Sequence, residues 1–231
     1  METLKHSHFS EKYGFIVLLI SLFLMLVLFP FFNNSPTSQL LFNLSFSLIL
    51  LTSLYTISIT KKQFRIGAFF MLPPLITRWI TYFSKSHTDI VIYHIVTFLF
   101  LSFIIFALCR LIFNAKKVNM NLVYGATCIY IILGITWAIV FALIDYLIPT
   151  AFSGVESGML SRGYLDPLTF RFENLLYYSY VTLTTLGYGD ITPLAPGVKF
   201  LSVIEAIIGQ LYLATVIARI LGLYLTQKKR S

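Results

Sequence analysis

The chain has few charged residues. Asp, Glu, Lys and Arg make up 11% of its 231 residues, whereas about a quarter of an average soluble domain is charged. Hydrophobic residues make up 58%, and the mean hydropathy is +0.84. One soluble core of this size could not bury 22 Phe and 14 Tyr. These values exclude an ordinary soluble domain and indicate that lipid surrounds most of the chain.

Cysteine is also scarce, and the usual signatures of enzymes are missing. The two cysteines, Cys109 and Cys128, both fall in apolar stretches, which excludes a disulfide framework and a zinc site. The polar segments contain no phosphate-binding Walker loop, no His-Glu-x-x-His helix and no Ser/His/Asp arrangement. We therefore expect no enzyme and no cofactor.

Acidic residues are outnumbered by basic ones. Nine Asp and Glu stand against 17 Lys and Arg, so the net charge is +8. The basic residues cluster at the ends of apolar runs rather than in one patch, which favours contact with anionic lipid at a cytoplasmic membrane face over nucleic-acid binding. We expect membrane lipids, and no nucleic acid, among the partners.

Six apolar runs are long enough to cross a bilayer as helices, for which about 20 residues suffice. They are 14–32, 40–59, 66–83, 90–113, 123–147 and 198–225. The first run lacks the small-residue cleavage site of a secretory signal, so we interpret it as a retained helix. Lys and Arg concentrate in the connections that are cytoplasmic if the N-terminus is inside. This predicts a multi-pass protein of the cell membrane with both termini in the cytoplasm.

The one long connection, residues 148–197, is where function is expected, because loops of this length in compact proteins are usually functional. It contains an apolar stretch at 172–183 that is too short to cross the membrane. We expect this stretch to be a helix that enters the membrane and returns. It is followed by Thr184-Thr185-Leu186-Gly187-Tyr188-Gly189-Asp190.

This heptapeptide resembles the selectivity filter of potassium channels, Thr-Val-Gly-Tyr-Gly, with Leu186 in the place of Val. Potassium leaves water only where oxygens replace its hydration shell, and backbone carbonyls supply them if successive residues point inward. Glycines at 187 and 189 permit that conformation. The expected K⁺ ligands are the carbonyls of Thr185, Leu186, Gly187 and Tyr188, with Gly189 completing the filter. One chain cannot close the ring, so a homotetramer is implied.

Residues around the motif extend the resemblance and predict supporting roles. Thr184 and Asp190 flank the filter, and the pair Tyr177 and Tyr178, followed by Ser179, occupies the family's aromatic positions. The pair is expected to pack around Tyr188 and to bond Asp190.

Two residues of the last run are singled out by their position within it. Glu205 inside the last run is either a hydrogen-bonded brace behind the filter, which we favour, or a pH sensor. Gly209 is interpreted as a gating hinge, with close helix packing as the alternative.

The resemblance implies an all-α membrane protein of the six-transmembrane, single-pore potassium channel family. Residues 1–117 would form a four-helix bundle in the place of a voltage sensor, and residues 118–231 the pore domain. The pore domain would comprise an outer helix (123–147), a pore helix (172–183), the filter (184–190) and an inner helix (198–225). Two alternatives stay open: a non-selective or sodium-permeable cation channel, and a non-conducting subunit that modulates a partner channel.

Three polar or helix-breaking features of the bundle are left without a role in this interpretation. Arg78 is expected to snorkel to the interface or to pair with Asp89. Pro73-Pro74 should disturb its helix, because two backbone donors are missing. His94 is expected to be a satisfied polar residue between helices.

We predict weak voltage dependence. The fourth run contains a single arginine, Arg110, at its end, whereas steep gating needs several charges per subunit that move through the membrane field. Conductance measured against membrane potential in planar bilayers should change gradually. A steep curve would contradict the inference from the uncharged fourth run.

Overall fold

The computed structural model describes residues 2–28, 36–57, 61–84, 86–115, 117–155 and 167–228. The ends of the first two predicted runs, at 29–32 and 58–59, lie outside these ranges. So do Lys85, Lys116, Arg162, Lys229 and Arg230, on which the predicted orientation in the membrane partly depends.

The described residues are mostly helical, as expected of an all-α membrane protein. Its helices are α1 (Glu2–Leu28), α2 (Pro36–Ile57), α3 (Lys61–Ser84), α4 (His87–Phe113), α5 (Met120–Leu147), α6 (Pro167–Leu183) and α7 (Pro196–Lys228). Two short strands that the sequence did not predict, β1 (Phe152–Ser153) and β2 (Thr192–Pro193), form an antiparallel pair. The predicted pore helix begins earlier than expected, at Pro167 rather than at residue 172.

Four helices within the described ranges are long and apolar enough to cross a membrane: Leu40–Ile57 of α2, and all of α4, α5 and α7. The apolar part described for α1, Tyr13–Val27, is shorter. α3 carries basic residues at its start and Arg78 near its end, which lower its hydropathy. The chain is thus a membrane protein, and six spans remain a prediction.

Helices α1 to α4 form a bundle around a buried apolar core. Its centre includes Leu22 of α1, Phe46 of α2 and Leu101 of α4, all fully buried. Short polar side chains join α1 to α2: the hydroxyls of Ser21 and Thr52 lie 3.0 Å apart, and the Thr56 hydroxyl donates to the Gly14 carbonyl at 3.0 Å. Hydrogen bonds of this kind hold helices together in lipid, where the hydrophobic effect between helices is absent.

The bundle packs on α5 of the same chain through both α1 and α4. The ring of Phe15 on α1 lies where a side chain at Gly125 of α5 would have to be, which lets the two helices approach closely. Residues 114–119 are the whole connection between α4 and α5. Because this connection is short, α4 turns directly back along α5.

The kink expected at Pro73 and Pro74 of α3 stays a prediction, whereas Arg78 has contacts that the sequence did not predict. α3 continues as one helix through Pro73 and Pro74. The Arg78 guanidinium lies 4.6 Å from the centre of the Phe42 ring and 5.1 Å from that of Tyr93, a cation–π arrangement. The Asp89 carboxylate, the partner considered for Arg78, accepts a hydrogen bond from the Ser84 hydroxyl at 2.7 Å.

His94 is buried in α4 beside this cluster. Its Nδ1 lies 2.7 Å from the Ile90 carbonyl oxygen, one turn earlier in the same helix. His94 thus has a hydrogen-bond partner in its own helix, and its expected role as a polar contact between helices stays a prediction.

The last turns of α7 form hydrogen bonds with the end of α4 and with the connection between α4 and α5. Arg219 Nη2 donates to the carbonyls of Phe113 at 2.8 Å and Ala115 at 3.0 Å. The Val118 amide donates to the Gln227 side chain at 3.3 Å. A cation at the C-terminal end of a helix satisfies its unpaired carbonyls and its partial negative charge. Arg219 therefore joins the end of α4 to α7.

An ion pair fixes the start of α6 to the end of α5. Arg171 Nε lies 2.6 Å from Asp145 Oδ2, and Nη2 lies 2.7 Å from Oδ1. Asp145 is 2% exposed and Arg171 18% exposed. A bidentate pair of this geometry fixes direction as well as distance, so it orients the start of α6 relative to the end of α5.

We predict that Asp145→Asn lowers the free energy of unfolding by about 2 to 3 kcal/mol, because it removes the charge from the buried carboxylate of a bidentate ion pair. Denaturant unfolding in detergent micelles would measure this change. Asp89→Asn is the matched control, since it affects one exposed hydrogen bond and should cost less than about 1 kcal/mol. Equal losses in the two variants would contradict a structural role for the ion pair.

Candidate functional site

The segment Thr184–Asp190, called here the Gly-Tyr-Gly segment, turns back on the end of α6. The amides of Thr185 and Leu186 donate to the carbonyls of Thr182 at 3.0 Å and Val181 at 2.9 Å. These bonds satisfy carbonyls that the last turn of a helix otherwise leaves unpaired. The segment therefore starts directly at the C-terminal end of α6, where the helix dipole places about half a negative charge.

Along the Gly-Tyr-Gly segment, the sign of the backbone φ angle alternates from residue to residue. The φ angles are +60° at Thr185, +58° at Gly187 and +78° at Gly189, and the residues between them have negative φ. Peptide units in alternating left- and right-handed conformations turn their carbonyls to one side of the chain and their amides to the other. The segment can thus present a row of backbone oxygens in one direction.

Glycine is required at two of these positions and absent from the third. A Cβ on Gly187 or Gly189 would meet no neighbouring atom within 4 Å of this chain, so the requirement comes from the positive φ alone. Thr185 has a Cβ and adopts the left-handed conformation at a cost of about 1 kcal/mol. Its hydroxyl accepts a hydrogen bond from Gln210 Nε2 of α7 at 3.3 Å.

All residues of the Gly-Tyr-Gly segment are exposed in the single chain. Leu186 is 59% exposed and Tyr188 67% exposed. α7 is similarly open, since 22% of its span is buried compared with 61% for α5. One side of the site is therefore left uncovered by this chain.

Tyr177 on α6 reaches across to the end of the segment. Its hydroxyl donates to Asp190 Oδ2 at 2.8 Å, and the amide of Ile191 donates to the other carboxylate oxygen at 3.0 Å. Asp190 thus accepts one hydrogen bond at each carboxylate oxygen, and Tyr177 links α6 to the end of the segment.

Tyr178, the second residue of the predicted aromatic pair, points away from Asp190. Its hydroxyl lies 2.6 Å from that of Ser202 on α7. Its ring packs edge-on against Phe141 of α5 and Phe152 of β1, with centroids 5.3 Å and 5.2 Å away. Only Tyr177 of the pair bonds Asp190, and Tyr178 instead joins α6 to α5, α7 and β1.

The paired strands β1 and β2 hold the residues that directly follow the Gly-Tyr-Gly segment. β1 and β2 place Ser153 opposite Thr192, with their hydroxyls 2.6 Å apart. Gly154, at φ +85°, lies against the Asp190 carbonyl, where a Cβ would collide with it. The strand before α6 thus contacts the backbone of Asp190, while Tyr177 bonds its side chain.

Glu205 of α7 is completely buried behind α6. The Ser179 hydroxyl lies 2.5 Å from Glu205 Oε1 and 2.8 Å from the Gly134 carbonyl oxygen of α5, and can donate to either. This serine thus joins three helices at one point. The geometry favours the brace over the pH sensor as the hypothesis for Glu205.

Gly209 lies one turn beyond Glu205, against the last residue of α6. A Cβ at this position would collide with the Leu183 carbonyl oxygen, which also accepts a hydrogen bond from the Tyr130 hydroxyl of α5 at 3.3 Å. The structure therefore gives Gly209 a packing role that requires glycine. A hinge at the same residue remains a prediction.

Several residues that contact the site were not predicted from the sequence, among them Ser202, Gln210, Gly134 and Tyr130. One of them had a usable signal. Ser202, Glu205 and Gly209 follow a spacing of three and four residues, which places small and polar side chains on one face of α7. The others act through contacts between distant helices, which no local pattern reveals.

We predict that Glu205→Gln retains the fold, whereas Glu205→Ala destabilises it. The glutamine amide can donate to Ser179 while Ser179 donates to Gly134, but alanine leaves a cavity and removes the bond. Melting temperatures in detergent would separate the two variants, with the alanine variant lower by several degrees. A glutamine variant as unstable as the alanine variant would contradict the brace hypothesis.

Comparison with known proteins covers the part of the chain that contains this geometry. Residues 151–225, from β1 through most of α7, match the model of a family described as ion channels. No curated protein and no solved structure matches the chain. The family match, together with the membrane helices, indicates an ion channel whose channel-like part lies in residues 151–225.

Proposed function

We propose that the chain is one subunit of a homotetrameric, potassium-selective channel of the six-transmembrane, single-pore type. The observation that carries the proposal is the alternating φ of Thr185, Gly187 and Gly189 at the C-terminal end of α6. This conformation turns successive carbonyls to one side, which is the arrangement that a dehydrated cation needs. The ion-channel match covers these residues.

In this proposal K⁺ is the transported ion and no cofactor takes part. The carbonyls of Thr185, Leu186, Gly187 and Tyr188, with the Thr185 hydroxyl below them, contribute one oxygen layer each per chain. Four chains around an axis close each layer into a ring. Ions shed water at one end, and each is displaced by the next along the electrochemical gradient.

The charge of the site supports cations over anions. The C-terminal dipole of α6 is directed at the start of the carbonyl row, and Asp190 adds a carboxylate at its far end. The side chains of the segment itself, from Thr184 to Gly189, carry no basic group. An anion would meet repulsion at both ends of the row.

The exposed surface of the single chain supports assembly. α7 leaves large apolar side chains such as Phe200, Leu211 and Ile217 between 60% and 73% exposed. On a conducting tetramer, neighbouring subunits and the pore would meet these faces and the Gly-Tyr-Gly segment. Non-helical backbone at membrane depth is tolerated only where it is buried in protein or lines a cavity, and a tetramer meets that requirement.

We predict potassium flux from the purified protein in liposomes, with little sodium flux and with block by barium. Gly187→Ala and Gly189→Ala should each lower the flux at least about tenfold, because alanine at positive φ costs about 1 to 2 kcal/mol per chain. A fluorescence assay with a potassium ionophore as the reference for total uptake would measure it.

Gly197→Ala is the matched control, since a Cβ there also meets open space but the backbone φ is ordinary. It should conduct as the parent does. Sodium flux equal to potassium flux would indicate a non-selective channel instead. Normal conduction by Gly187→Ala would overturn the assignment of the carbonyl row.

A further inference from the structure

An apolar groove runs along the outside of the molecule between α4 and α5 and ends against α7. It has a volume of about 550 Å³. Phe98, Ser102 and Cys109 line it from α4, Trp137 from α5 and Leu201 from α7. None of the contacts that form the Gly-Tyr-Gly site involves these side chains, so the groove is separate from that site.

The part of the groove that runs along α4 has about the length of one lipid tail. Phe98 and Cys109 stand eleven positions apart on α4, which corresponds to about 16 Å along a helix. This is about half of the 30 Å hydrocarbon core, the depth of one leaflet. Phe98 at 39% and Phe106 at 67% exposure border it, so the groove opens to the surroundings of the bundle.

Positive charge lies at one end of the groove. Arg110 directly follows Cys109, the last groove residue of α4, and its side chain is exposed. Lys117, in the connection to α5, is also exposed. The carboxylates of Asp89 and Asp145 stand at the opposite ends of α4 and α5. An anionic group at this end would therefore meet cations and no nearby carboxylate of those two helices.

We propose that this groove binds an anionic glycerophospholipid of the bilayer, with one acyl chain along α4 and α5 and the phosphate at Arg110. An acyl chain fits the apolar lining, and the exposed cation one residue beyond it fits the head group. The proposal goes beyond ion conduction and rests only on the membrane placement of α4 and α5. Since the groove touches the bundle and α7 together, the bound lipid would bridge the two halves of the chain.

The fluorescence of a tryptophan in the groove can report the binding of lipid there. It has two tryptophans, Trp79 on α3 and Trp137 in the groove. The Trp79→Phe variant leaves Trp137 as the single tryptophan, and lipids with brominated tails quench its fluorescence on contact. Two sets of vesicles would contain phosphatidylglycerol and phosphatidylcholine at equal mole fractions. The brominated lipid is phosphatidylglycerol in one set and phosphatidylcholine in the other.

We expect brominated phosphatidylglycerol to quench Trp137 more strongly, with a relative binding constant about fivefold above that of phosphatidylcholine, the factor that one cationic residue supplies at an anionic surface. Arg110→Gln should remove this preference, and Lys61→Gln, which removes an exposed cation from the start of α3, should retain it. In Trp137→Phe, the remaining Trp79 should show no such preference.

Either of two results would overturn the proposal. Equal quenching by both lipids would show ordinary solvation by lipid without head-group recognition. No quenching by either would show that a second copy of the chain covers the groove. The readout needs no ion flux, so a silent channel would leave this test intact, and a failed lipid test would leave the conduction proposal unaffected.

Discussion

The site depends on one constraint. The backbone of the Gly-Tyr-Gly segment alternates between left-handed and right-handed conformations, and its own local hydrogen bonds cannot maintain this arrangement. Thr185, Gly187 and Gly189 all have positive φ, and the residues of this segment are exposed in the single chain. Regular helices and strands stabilise themselves through repeated backbone bonds, whereas among the described residues the backbone amides at the start of this segment bond the end of α6. The surrounding structure has to supply the rest.

Contacts at both ends of the Gly-Tyr-Gly segment hold its backbone in this conformation. At its start, Gln210 bonds Thr185, and Gly209 lets α7 approach the Leu183 carbonyl. At its end, Tyr177 and Gly154 hold Asp190 from two sides. Behind α6, Ser179 joins Glu205 to α5. These contacts come from α5, α6, α7 and the strand pair, so all four elements support the carbonyl row.

The N-terminal bundle is connected to this scaffold at several points although it lacks the charges of a voltage sensor. Arg219 of α7 caps the end of α4, and the ring of Phe42, which lies under Arg78, also packs against Phe172 of α6 at 5.7 Å. Together with the groove between α4 and α5, these contacts make the bundle part of the packing around α6 and α7 rather than an independent appendage.

The sequence alone determined the membrane class, the helical runs, and the motif with its two glycines, because each depends on hydropathy over a run or on residues adjacent in the chain. It also placed Glu205 and Gly209 on one face of α7. Only the tertiary structure decided that Tyr178 bonds Ser202, that Asp145 pairs with Arg171 and that Gly209 packs against Leu183. These partners are far apart in the sequence, and which of them meet is set by how the helices cross, which no local pattern encodes.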